Sequence, residues 1–112
     1  MADFEKLESL GIPRSLVTEI LSDGVLDIFL RTDLKSEGLY FAYTIFLRPL
    51  GVFEVEAAAR ILSSKLGFEL LPEEVFRFLI MHEYGHHKGL KEKEADEFAA
   101  ARIKNQRAIA DF

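Results

Sequence analysis

The sequence predicts an α+β fold: a small two- to three-stranded sheet packed on helices, formed by a single domain over residues 1–112. Three observations predict it. Two short apolar runs bounded by turn residues, 25–31 and 39–48, read as strands. On either side of them apolar residues recur at three- and four-residue steps between Pro and Gly, the spacing of helices with one buried face. A chain of 112 residues, 49% of them hydrophobic, is enough for one modest core, and no repeat, low-complexity tract or long linker divides it.

Each element follows in order. Asp3 opens a short helix that Gly11 stops. Pro13 suits a first helical turn, and Leu16, Val17, Ile20 and Leu21 follow at helical spacing until Gly24. "VLDIFLR" is the first strand and "TDLKSEG" a loop. "LYFAYTIFLR" reads as one second strand, because Leu39, Phe41, Tyr43, Ile45 and Leu47 are large and apolar while the alternate positions include Thr44 and Arg48. Pro49 and Gly51 break it, and "VFE" reads as a short third strand. "EVEAAARILSSKL" is a helix that Gly67 stops. Pro72 opens the next helix, with Glu73 and Glu74 at its positive end; its pattern runs through Val75, Phe76, Leu79 and Ile80 into His82, Glu83 and His86, and Gly89 ends it. Glu92, Ala95, Phe98, Ala99 and Ile103 mark a last helix.

Composition narrows the function. A net charge of −5 argues against a nucleic-acid partner or an anionic membrane surface, both of which need a basic patch. With no Cys there is no disulfide framework, and any metal must take nitrogen and oxygen ligands. The N-terminus "MADFEKLESL" has acids where a secretory leader would be basic and then apolar, and "LYFAYTIFL" is too short to span a bilayer as a helix. A soluble, cytoplasmic protein with no membrane partner is the expectation.

The chemistry concentrates in "MHEYGHHKGLKEKEADEF". His82 and His86 lie four residues apart, so they project from one helix face and can reach one metal at about 2.0–2.1 Å. Glu83 points beside that metal, where a general base must stand, and Gly85 keeps the space next to the metal open. The residues "HEYGH" match H-E-x-x-H in full. A catalytic zinc needs a third protein ligand, for which Glu92, Glu94, Asp96 and Glu97 are candidates. Glu92 and Asp96 share a face, which suggests that Glu92 binds the metal while Asp96 accepts a hydrogen bond from a liganding His. Glu94 and Glu97, like Lys91 and Lys93, read as solvated, and so does His87.

H-E-x-x-H followed by "EKEADEFAA" resembles the gluzincin pattern, in the form found in catalytic domains of membrane metallopeptidases of the CAAX-prenyl-protein and heat-shock types. At this length the chain is most similar to the minigluzincins, small soluble versions of those domains. The resemblance implies a zincin-like arrangement of an active-site helix and a glutamate helix. It implies one zinc per chain on His82, His86 and Glu92, with Glu83 as general base and acid, Asp96 supporting the site, and a sheet rim that aligns a peptide or protein substrate. Larger relatives carry a later His, Tyr or Arg that stabilises the oxyanion; no His or Tyr follows His87, so the role falls to Arg102 or Arg107, or to no residue at all. Two functions follow: a zinc-dependent peptidase, active or latent, and alternatively a catalytically silent zinc-binding module with a regulatory or interaction role. The segment "NQRAIADF", ending in Phe112 and its carboxylate, is expected to enter the cleft of its own or a neighbouring chain, which would give a homo-oligomer by exchange of chain ends.

Overall fold

A computed structural model describes residues 2–110. They form five α-helices and a three-stranded mixed sheet: α1 (Phe4–Ser9), α2 (Arg14–Ser22), β1 (Asp27–Leu30), β2 (Gly38–Phe41), β3 (Thr44–Leu47), α3 (Val52–Leu66), a 3₁₀ turn (Pro72–Glu74), α4 (Val75–His87) and α5 (Glu92–Ala110). β3 is the middle strand, parallel to β1 and antiparallel to β2. Among the described residues no helix is long and apolar enough to cross a membrane.

Local chemistry explains most boundaries. The Asp3 carboxylate caps α1 by accepting from the Lys6 N–H at 3.1 Å. The expected third strand "VFE" is instead the first turn of α3. The Glu54 side chain accepts from the Gly51 N–H at 3.1 Å, which satisfies a donor at the helix start and turns the chain into helix rather than sheet. Leu71 and Glu74 repeat the device before α4, at 2.9 Å.

The expected second strand is two strands. Ala42 and Tyr43 both have positive φ, 52° and 59°, the signature of a two-residue type I′ turn, so 39–48 folds on itself as the β2–β3 hairpin. The turn changes which positions face inward. Tyr40 pairs with Ile45 and Gly38 with Leu47 on the face toward α4; Leu39 pairs with Phe46 and Phe41 with Thr44 on the other face. Ile45 and Leu47 are fully buried, whereas Leu39, Phe41 and Tyr43 are exposed, against the single-strand alternation.

α4 is the central element: from Val75 to Gly85 every residue is buried except the half-buried Arg77. Such a helix is apolar nearly all round because it is covered nearly all round. β2 and β3 lie across it, α3 flanks it, and α5 packs along it through Ala95, Ala99 and Ile103, all fully buried. The segment expected to enter a cleft begins, within the described residues, as a continuation of α5 to Ala110. It runs back to the start of α4, where the Arg107 Nε donates to Glu74 at 2.8 Å and Arg77 donates to Gln106 at 3.2 Å. Phe112 lies outside the described residues.

Candidate metal centre

The turn between α4 and α5 decides the geometry of the site. Gly89 has φ +90°, the Leu90 N–H bonds to the Gly85 carbonyl at 3.0 Å, and the Gly89 N–H bonds to that of His86 at 3.0 Å. This is a Schellman closure, and it reverses the chain within a few residues. Gly85 then lets α5 approach. A Cβ at Gly85 would stand 3.1 Å from the Ala95 Cβ and 3.2 Å from its Cα. The missing side chain serves helix packing, and not, as the sequence suggested, open space beside a metal.

The result is a tight convergence. Glu92 Oε1 lies 2.7 Å from His86 Nε2 and 3.2 Å from His82 Nε2, and the two Nε2 atoms are 3.1 Å apart. Each imidazole is oriented from its far nitrogen. His86 Nδ1 donates to the Leu90 carbonyl at 2.8 Å, a carbonyl aimed by the Schellman turn. Asp96 Oδ1 approaches His82 Nδ1 to 2.7 Å, off the ring N–H direction, so the contact is a close polar approach rather than an aligned hydrogen bond. Both contacts approach a ring from its Nδ1 side and leave its Nε2 facing inward.

Three such atoms repel one another unless a ring proton or a metal ion stands among them. Their separations approach the edge of about 3.3 Å expected for a tetrahedron with zinc bonds of 2.0–2.1 Å. The donor set, two imidazoles and one carboxylate with no thiolate, therefore fits zinc. His82, Glu83 and His86 also offer ligand atoms within 4.8 Å of one another. Glu92 could serve as a further donor, since its oxygen is in direct contact with both imidazoles.

Burial and neighbouring charges shift three groups of this cluster. The Glu83 carboxyl is buried, and burial pushes its pKa above the ordinary range against the opposing pull of His82 and His86. Burial also opposes ionisation of Glu92, but the two imidazoles outweigh it and lower its pKa. For His86 burial favours the neutral ring, yet the Leu90 carbonyl and Glu92 leave its pKa raised.

These residues line a cleft of about 640 Å³ between β2 and α3, floored by α4. Three contributors to it lie outside the His-Glu motif and the helix that follows it. Gly38, on the edge strand, passes directly over Glu83: a Cβ there would stand 2.9 Å from Glu83 Oε2 and 3.3 Å from its Cγ. Tyr40 lines the cleft and bonds through its hydroxyl to His87 Nδ1 at 2.7 Å, while His87 Nε2 donates to the Asp23 carbonyl at 2.8 Å. His87 is thus a clamp between α2, α4 and β2, not a solvated helix end. Lys65 reaches the site from the last turn of α3, with Nζ 2.8 Å from Asp96 Oδ2.

The two arginines expected near the oxyanion are elsewhere. Arg102 forms a two-pronged pair with Glu19 at 2.6 and 3.0 Å. Arg107 pairs with Glu74 and the Glu69 carbonyl. Neither lines the cleft. Both sit on the helix that carries Glu92, and carboxylates of α2 and of the turn before α4 claim them first. Lys91, Lys93, Glu94 and Glu97 are exposed, as their charge pattern predicts. Comparison of the chain with protein families, with curated proteins and with solved structures finds no match.

Proposed function

We propose that the protein is a zinc-dependent peptidase of the gluzincin kind. The observation that carries this reading is the convergence of His82 Nε2, His86 Nε2 and Glu92 Oε1 beside a buried Glu83 that is not needed as a ligand. A structural zinc is usually closed by four protein ligands, whereas three donors leave a position open toward the cleft.

Zinc held by these three residues would supply a Lewis acid that polarises a peptide carbonyl and acidifies water. The protein's own groups do the rest. Asp96 and the Leu90 carbonyl keep both imidazoles aimed inward. The Glu83 carboxylate takes a proton from the attacking water and returns it to the departing amine. β2 is an edge strand whose residues from Gly38 to Tyr40 border the cleft, so an extended substrate backbone can add to it as a further strand.

The test compares wild type with Glu83→Gln. Both should take up one zinc per chain, and only the wild type should hydrolyse members of a peptide pool followed by mass spectrometry. Equal hydrolysis by both would refute the role of Glu83. A zinc-loaded wild type that cleaves nothing would make this the silent zinc-binding module.

A further inference from the structure

The wall of the cleft formed by α3 carries one feature that metal binding alone does not use. Lys65 is the only lysine or arginine among the residues that line the cleft, where Glu37, Glu83, Glu92 and Asp96 are all acidic. Its ammonium is anchored rather than waving in solvent. Nζ sits 2.8 Å from Asp96 Oδ2, and the Asp96 side chain is only 9% exposed. That pairing, with the nearby Glu92 carboxylate, raises the Lys65 pKa and keeps the group charged. An ammonium has three donors in a rotatable array, and Asp96 occupies one. The Lys65 side chain remains 57% exposed, so the other donors are open to a ligand.

The surroundings define what such a ligand looks like. Leu62 lies one turn before Lys65 on α3 and lines the same cleft, together with Phe78 and Leu79 of α4. An apolar hollow therefore adjoins the cation. Glu37, at the foot of β2, stands in the strand wall and repels an anion placed there. The cleft thus has a polarity, with negative charge tolerated at α3 and disfavoured at β2.

We propose that Lys65 is a specificity residue that binds a carboxylate of the substrate, so that the preferred substrates are peptides with an apolar residue next to a carboxylate, either the chain terminus or an acidic side chain. This rests on the reading of the cleft as a peptide site, but not on the metal, since Lys65, its anchor Asp96 and the hollow include none of the proposed zinc donors. The ammonium donates two hydrogen bonds to the carboxylate while keeping its third on Asp96, and the neighbouring apolar side chain lies against Leu62.

The experiment uses the metal-free full chain, so that zinc cannot bind the carboxylate itself. Amide resonances are followed during titration with N-acetyl-leucine, with N-acetyl-leucinamide, and with the amide of N-acetyl-leucyl-aspartate. The acid should bind about tenfold or more tightly than the neutral amide, the difference of one charge-assisted contact, with shifts at Leu62, Lys65 and Phe78. Lys65→Gln should bring the acid down to the level of the amide, and Lys65→Arg should restore part of the preference. Acidic-side-chain binding equal to that of N-acetyl-leucine assigns the contact to any carboxylate; weaker binding assigns it to the chain terminus. Equal affinity for acid and amide, a preference that survives in Lys65→Gln, or no binding of any probe would overturn the proposal. Zinc uptake by the same wild-type protein is measured separately, so the carboxylate preference and the metal centre can fail independently.

Discussion

Gly38 has no positive φ, so its missing side chain answers to proximity rather than to torsion. The edge strand lies on the Glu83 carboxylate, and any Cβ would press on Oε2 and Cγ together. Gly38→Ala should leave zinc content unchanged while lowering kcat by about 100-fold, the scale of a misplacement near 1 Å, as steady-state kinetics on a cleaved peptide would show. Asp96→Ala should act on the other quantity, weakening zinc affinity about 10–100-fold in competition with a chelator while the fold persists. The difference between the two positions also explains what the sequence could reveal. His82, Glu83 and His86 were legible because helical geometry fixes neighbours four residues apart, and Glu92 and Asp96 because a glycine turn followed by one helical face brings them back. Gly38 and Lys65 were not, because what gives each its role belongs to a distant part of the chain. Gly38 read only as the end of a loop, and Lys65 only as the last basic residue of a helix.

Among the elements, the β2–β3 hairpin departs most from its sequence reading. The run 39–48 lacks the Asn-Gly or Asp-Gly pair that announces a type I′ turn, and its uninterrupted apolar alternation imitates one long strand. Ala42 and Tyr43 nonetheless take left-handed conformations, which costs L-residues roughly 1–2 kcal/mol each. Pairing Tyr40 and Gly38 over α4 offsets that cost. Ala42 is exposed, so Ala42→Asn should relieve part of the strain and stabilise the protein by on the order of 0.5–1 kcal/mol in urea unfolding. The α4–α5 pair responds oppositely. Gly85→Val would force Ala95 and the α5 backbone outward, destabilising by about 1–3 kcal/mol, and should draw Glu92 away from the imidazoles so that zinc affinity falls with stability. The helices themselves were legible because Pro and Gly punctuate them, with α4 starting slightly later than its proline because a 3₁₀ turn intervenes. The start of α3 was not, because a side-chain cap and not a propensity turns "VFE" into helix.

For the molecule as a whole, α5 is fastened at both ends: at Glu92 by the imidazole pair and near its C-terminus by Arg107 on Glu74. Glu74 is 3% exposed, and although burial raises its pKa, Arg107, the Leu71 N–H and Arg77 together leave it lowered. A carboxyl with a lowered folded pKa contributes stability above its unfolded pKa, and that contribution is lost as pH falls through the folded value. The stability gap between wild type and Glu74→Gln should therefore be largest near neutral pH and shrink on acidification below about pH 4.5, measured by urea unfolding across pH. The same architecture separates two events in time. The proposed zinc donors span ten positions, from His82 to Glu92, within one helical hairpin, whereas the Tyr40–His87 contact that holds β2 over α4 spans 47. Contacts local in sequence close early and remote ones late. The ion site can therefore assemble as a cooperative unit before the groove exists, and zinc added during refolding should protect the amides of α4 and α5 from hydrogen exchange first. Protection of β2 should follow as a distinct slower phase, so a newly made chain would hold its ion before it had a groove to work on.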